Sequence, residues 1–236
     1  MSAHPIPRLR RAALGAITLA FVLAGGARPA WAVSDTQAWG SVVATGTVRG
    51  DLFLWLEAQG RGTDDIGGGS QIILRPAIGA RIGRDAHAVV GYAYVRTDPE
   101  TGATTHEHRP WQQIQFVPFR RANGDPLVVS RTRLEQRMLE GRHGTSWRLR
   151  QMVRAQLPLA RGGAIKAVAF TEGFLNLNDT RWGVRDGVDQ WRTFIGVGLP
   201  VAPRLRVEPG YLNQRVFRPG EDRVNHVVNA TLFVSL

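Results

Sequence analysis

The chain has 236 residues, of which 43% are hydrophobic, contains no cysteine and carries a formal charge of +11. That length suits a single mid-sized domain. Beyond the N-terminus no stretch approaches the roughly 20 apolar residues of a spanning helix, which excludes a helical membrane protein. Without disulfides, an exported form must draw its stability from its core or from a bilayer. Lys166 is the only lysine among 30 basic residues, and the arginines are interleaved with acids instead of forming a run, which speaks against a nucleic-acid surface.

The first segment reads as a targeting signal. Arg8, Arg10 and Arg11 precede an uncharged apolar run over 12–26, and Ala30-Trp31-Ala32 is a small-x-small site, so cleavage is expected after Ala32. The segment holds four arginines and no acid, so its removal lowers the charge from +11 to +7. Residues 33–236 are then expected to form one domain.

From there the pattern has period two. Strands are expected at 39–48, 51–59, 71–83, 88–97, 111–119, 127–140, 147–157, 164–175, 189–199, 204–217 and 225–236, separated by clusters of Gly, Asp, Asn and Pro. In 51–59, Glu57 and Gln59 oppose Leu52, Leu54 and Leu56. In 71–83, Arg75 and Arg81 oppose Ile72, Leu74, Ile78 and Ile82. In 127–140, Arg131, Arg133, Glu135 and Arg137 oppose Val128, Thr132, Leu134 and Met138. In 147–157, Arg148, Arg150 and Arg154 oppose Leu149, Val153, Ala155 and Leu157. In 189–199, Gln190 and Arg192 oppose Trp191, Ile195, Val197 and Leu199.

Strands this long exceed the usual five or six residues of globular sheets and match a tilted membrane span. Short connections near 49–51, 84–87, 120–126, 158–163 and 200–203 alternate with mostly longer ones near 60–70, 98–110, 141–146, 176–188 and 218–224. Outer-membrane barrels alternate their turns and loops in this way. The last strand stays apolar on one face through Val228, Ala230, Leu232, Val234 and Leu236. That is similar to the assembly signal read by the barrel-assembly machinery, although a terminal aromatic is the usual form. The fold expected is an all-β, antiparallel, up-and-down transmembrane barrel. Eleven segments conflict with the even strand numbers of single-chain bacterial barrels, so ten strands are favoured, with 39–48 outside the barrel, and twelve is the alternative.

On this parity one face carries the charges. The runs Arg131-x-Arg133-Leu134-Glu135-x-Arg137, Arg148-Leu149-Arg150, Glu172-x-Phe174-x-Asn176, Gln190-Trp191-Arg192 with Gly196 and Gly198, and Glu208-x-Gly210-Tyr211-Leu212-Asn213-Gln214 resemble the DUF2490 family of uncharacterised outer-membrane β-barrel proteins. The resemblance runs from about Trp39 to the end. It implies a barrel in the outer membrane and implies no activity. The family's recurrent charged positions fall at Glu57, Arg131, Arg133, Glu135, Arg137, Arg148, Arg150, Glu172, Arg192 and Glu208.

Together with Arg75, Arg81 and Arg154, these form the candidate site, a charge ladder lining the lumen. Buried charges of this kind must pair or stay wet. The ladder either fills a narrow barrel and fixes its register or makes a positive pore or anion site, and a catalytic carboxylate is a further reading.

Other signals are weaker. His106-Glu107-His108 lacks the ligands of a metal site and reads as part of a solvated loop. Gly67-Gly68-Gly69-Ser70 lacks the lysine of a phosphate loop, and no Gly-x-Ser-x-Gly elbow occurs. Trp39, Trp55, Trp111, Trp147, Trp182 and Trp191, with Tyr92, Tyr94 and Tyr211, fall mostly near strand ends, as interfacial girdles do, although core packing explains Trp55 equally well.

No catalytic residue, metal or cofactor is expected. The expected partners are outer-membrane lipid and the barrel-assembly machinery. The functional readings are a structural barrel or narrow anion-leaning channel, a membrane-embedded enzyme modifying lipid or lipopolysaccharide, and a soluble periplasmic ligand-binding barrel.

Overall fold

The structure is a computed structural model and describes residues 32–159 and 164–236. The expected signal segment lies outside the described residues except for Ala32. Eleven strands follow in order: β1 (Ala32–Arg49), β2 (Leu52–Thr63), β3 (Gly69–Ile82), β4 (Ala86–Asp98), β5 (Thr105–Arg120), β6 (Pro126–Leu139), β7 (Thr145–Pro158), β8 (Lys166–Asn176), β9 (Gly187–Ala202), β10 (Leu205–Val216) and β11 (Asp222–Ser235). Each strand bonds to its neighbours in sequence and β1 bonds to β11, which closes a barrel.

The strand number is a correction: eleven, neither ten nor twelve. Alternating directions around a ring close evenly only when the number is even. Here β1 and β11 run parallel, from Ala32↔Asp222 to Thr45↔Ser235, so the odd strand is absorbed at one seam. Parallel pairs are only slightly less stable per residue than antiparallel ones. The segment expected outside the barrel is therefore part of its wall, and it runs longer than the sequence pattern marked.

At one end 50–51, 83–85 and 203–204 are tight turns and 121–125 is a longer connection. Gly50-Asp51 links β1 to β2, with Gly50 at φ 55°, a conformation that costs glycine little. The connections at the other end are 64–68, 99–104, 140–144, 177–186 and 217–221. Several are shorter than expected because the strands continue into them. The His106-Glu107-His108 segment is one such case. It opens β5 with the pattern His out, Glu in, His out, and its polarity and the following Pro110 disguise it as a loop.

The two faces are inverted relative to a water-soluble barrel. Outward positions are apolar and exposed, for example Leu74, Ile78, Val90, Ile195 and Val228. On β3 the apolar outer face runs from Ile72 to Ile82, which at about 3.3 Å per residue and a tilt of about 40° makes a band about 25 Å tall. Toward the loop end it gives way to exposed tyrosines paired with histidines: Tyr92 with His108, and Tyr211 with His226, at 2.6 Å in the second case.

Inward positions mix polar, aromatic and aliphatic side chains. Trp39, Trp55 and Trp111 lie inside the barrel, which corrects their placement in a girdle, while Trp147 is on the outer face. Two apolar clusters line the lumen. One joins Val43, Trp55, Ala77, Val89, Ala93 and Trp111, and the other joins Trp39, Val168, Phe194, Leu212 and Val227. Eight strands already give a lumen that side chains fill, and eleven enclose more space. Long arginine, tryptophan and phenylalanine side chains meet in the middle to occupy it.

Glycines set the fit in places. Gly196 and Gly210 pair across β9 and β10 and face inward, and a Cβ on either would overlap the Phe194 ring. These are two of the glycines in the sequence motif, and their role is to seat that ring.

Candidate functional site

The charges concentrate on β6, β7 and β8, opposite the aromatic clusters. Period-two alternation brings Arg131, Arg133, Glu135 and Arg137 inward on β6, and Arg148, Arg150 and Arg154 inward on β7. Antiparallel register then places Glu135 beside Arg148, and Met152 beside Glu172 of β8.

Two carboxylates hold the centre. Glu135 accepts from Arg148 Nη2 at 2.7 Å and from Arg150 Nη1 at 2.6 Å. Glu172 Oε1 accepts from Arg131 Nη2 at 2.9 Å and from Arg150 Nη2 at 2.8 Å. Arg150 thus bridges both glutamates. Each contact is charge-assisted, and each glutamate takes donors from more than one arginine.

Other parts of the network stand around this centre. Arg75 pairs with Glu57, which also accepts from Trp55 Nε1 at 3.1 Å. Arg154 pairs with Glu208, which Arg206 also approaches at 2.9 Å. Arg192 lies 4.0 Å from Glu172 and over the Phe174 ring at 4.5 Å. Arg81 faces the same way as Arg75 but is exposed near the tight-turn end of β3, away from these pairs.

Sequence reading missed several members. Glu107 and Arg109 are buried on β5, bonded to each other at 2.7 Å, and Arg137 reaches the same glutamate at 2.6 Å. Arg61 continues the inward face of β2 past its expected end, held by Gln59 and Gln71 and stacked on Trp39 at 3.9 Å. Arg223 joins Asp35 and Asp64 at the seam. Their signal was available: each keeps the inward parity of its strand, in stretches read as loop or as strand end.

Amides complete the set on the loop side. Asn225 donates to Gln214 at 3.0 Å, Gln214 donates to Gln190 at 2.7 Å, and Arg192 donates to Gln190 at 3.2 Å.

At mid-height inward side chains are packed out of reach of solvent. Trp111 and Val227 are 0% exposed, and Arg133, Glu135, Phe174 and Phe194 are 1% exposed, on walls that face one another. Beside this layer a cavity of about 310 Å³ remains, bounded by Trp39, Trp55, Arg133, Arg154, Glu172 and Phe233 among others. Among the described residues no three His, Cys, Asp or Glu side chains are grouped to hold a metal ion.

The fold and this site define a class: a closed, odd-stranded β-barrel with an apolar exterior and an arginine–glutamate interior. The profile of the DUF2490 family, described as "Protein of unknown function", matches residues 36–225, and the chain belongs to that family. An uncharacterized protein of Methylorubrum extorquens AM1 is 36% identical over 228 residues, covering 96% of this chain and 99% of its own. Among solved structures, one described as "Unveiling the Mechanism Behind the in-meso Crystallization of Membrane Proteins" aligns at 12% identity and a TM-score of 0.37, covering 77% of this chain and 71% of its own. A likeness that low carries no argument. The charged residues of the quoted runs, from Arg131 to Glu208, fall on inward-facing positions.

Proposed function

We propose that this protein is an outer-membrane barrel, delivered by its N-terminal segment and inserted with the help of its apolar last strand, and that its role is structural rather than conductive. One observation carries the reading: the apolar face points outward in a band about 25 Å tall, the height of the hydrocarbon contact of such barrels. In water that exterior would be a large exposed apolar surface, a liability in a soluble monomer. In lipid, a closed barrel leaves no unpaired strand edge. The tight-turn end then faces the periplasm and the loop end faces outward.

The burial of Trp111, Arg133, Glu135, Phe174, Phe194 and Val227 at mid-lumen favours a plugged barrel over a narrow anion-leaning channel. The arginine–glutamate network there acts as filling that also fixes register, since a one-residue slip would turn the charges into lipid.

Fractionation with heat-modifiable gel migration tests location, and planar-bilayer recording tests conduction. The expected result is an outer-membrane, heat-modifiable protein with no steady single-channel current. A steady current that falls when Arg131 and Arg133 are replaced would restore the channel. Altered lipid A or phospholipid in a deletion strain, with no current, would favour an enzyme. Recovery in the soluble periplasmic fraction would contradict both membrane readings.

A further inference from the structure

We propose that the lumen cavity is a binding site for a small organic oxyanion, with a carboxylate or phosphate group at the arginines and a short apolar body against the apolar side chains of the same cavity. The site needs only the barrel interior and does not rest on the membrane reading.

The first support is a charge excess. Eight arginines but only two glutamates, Glu57 and Glu172, border the cavity of about 310 Å³. Both glutamates are engaged, Glu57 by Arg75 and Glu172 by Arg131 and Arg150. Arg154 and Arg206 share Glu208. That leaves Arg61, Arg133 and Arg192. Among the described residues Arg61 has no carboxylate within 4.0 Å, and it is held by glutamine amides and the Trp39 face. The nearest carboxylate oxygen to Arg133 is 3.8 Å away, and its own bonds go to Gln113 at 3.0 and 2.7 Å. For Arg192 the distance to Glu172 is 4.0 Å.

The second support is independent of the charge count. Arg133 is 1% exposed, and its Nη1 has no hydrogen-bond partner. The Nε atoms of Arg75 and Arg192 are likewise buried and unbonded. Buried polar groups are normally satisfied, and a charged donor left without an acceptor is the most costly exception. Arg133 cannot turn away, because Gln113 fixes two of its nitrogens and the Trp111 ring lies 4.2 Å from it. An oxyanion offers several acceptor sites in one plane, which suits guanidinium donors better than a halide does.

Apolar side chains interleaved with the arginines would hold the rest of the ligand. Val43, Met152, Phe170, Leu212 and Phe233 border the same cavity and are apolar. Its volume is near the lower limit of ligand pockets, about 300–1,000 Å³, so the body must be short.

The test uses the folded barrel in a zwitterionic detergent at fixed ionic strength, titrated calorimetrically with inorganic phosphate, hexanoate, hexyl phosphate and 1-hexanol. Saturable binding of hexanoate or hexyl phosphate is expected, with weaker binding of inorganic phosphate and none of 1-hexanol. Which of the two organic anions binds more tightly identifies the headgroup. Arg133→Gln should weaken binding at least 10-fold, whereas Arg81→Gln, outside the cavity, should leave it unchanged. Should Arg133→Gln fail to fold, Arg61→Gln is read by the same criterion. Absence of saturable binding by wild type, or equal affinity in wild type and the Arg133 or Arg61 variant, overturns the site. Equal binding of inorganic and hexyl phosphate overturns its apolar half.

Discussion

Glu135 is the residue on which the interior most depends. It takes hydrogen bonds from two buried arginines and stands 3.8 Å from a third, while itself 1% exposed. Removing one partner from such a group leaves charges stranded in a low dielectric. Glu135→Ala is therefore expected to cost about 3–5 kcal/mol in reversible urea unfolding from detergent micelles. Replacing Glu135 and Arg148 together by Leu and Met should recover part of that loss, because Arg150 keeps Glu172 as its counter-charge. A mild effect of Glu135→Ala alone would mean that water reaches the network. At this scale the sequence was informative wherever alternation was clean, as in Arg131-x-Arg133-x-Glu135-x-Arg137. It was silent where a strand looked like a loop. Glu107 and Arg109 were passed over because histidines and a proline surround them, although they occupy inward positions.

The seam between β1 and β11 separates what the strands show individually from what they show together. All eleven strands were visible as alternating segments. Their odd number conflicts with a wholly antiparallel closure, and the parallel pairing of β1 with β11 resolves that conflict. A single strand's sequence carries its facing pattern but not the direction of a partner almost 200 residues away. The seam can be tested chemically, since the chain has no cysteine of its own. Val42 pairs with Leu232 in the parallel register, both on the outer face. Val42→Cys with Leu232→Cys should cross-link within one chain under a short bismaleimide, visible as a shift in gel migration. No cross-link there, with one forming between β2 and β11 instead, would mean a ten-stranded wall with β1 outside it.

The molecule as a whole is an inversion of the usual arrangement, apolar outside and ionic inside, and the sequence foretold that inversion. It could not reveal whether the lumen is open. That depends on how side chains from strands that are not neighbours meet, as Arg131 of β6 meets Glu172 of β8 and Arg154 of β7 meets Glu208 of β10. Nor could it reveal that Trp39, Trp55 and Trp111 turn inward to pack beneath arginines such as Arg61 and Arg133. The central claim, a lipid-facing exterior around a closed ionic core, is tested most directly by single-cysteine labelling in native outer membranes. Ile78 sits in the middle of the outer band and Gly50 at a tight turn. Ile78→Cys should resist a water-soluble maleimide until the membrane is dissolved and the protein unfolded, while reacting with a lipid-soluble one. Gly50→Cys should react with the water-soluble reagent once the periplasm is opened. Rapid labelling of Ile78→Cys by the water-soluble reagent in intact membranes would contradict the account.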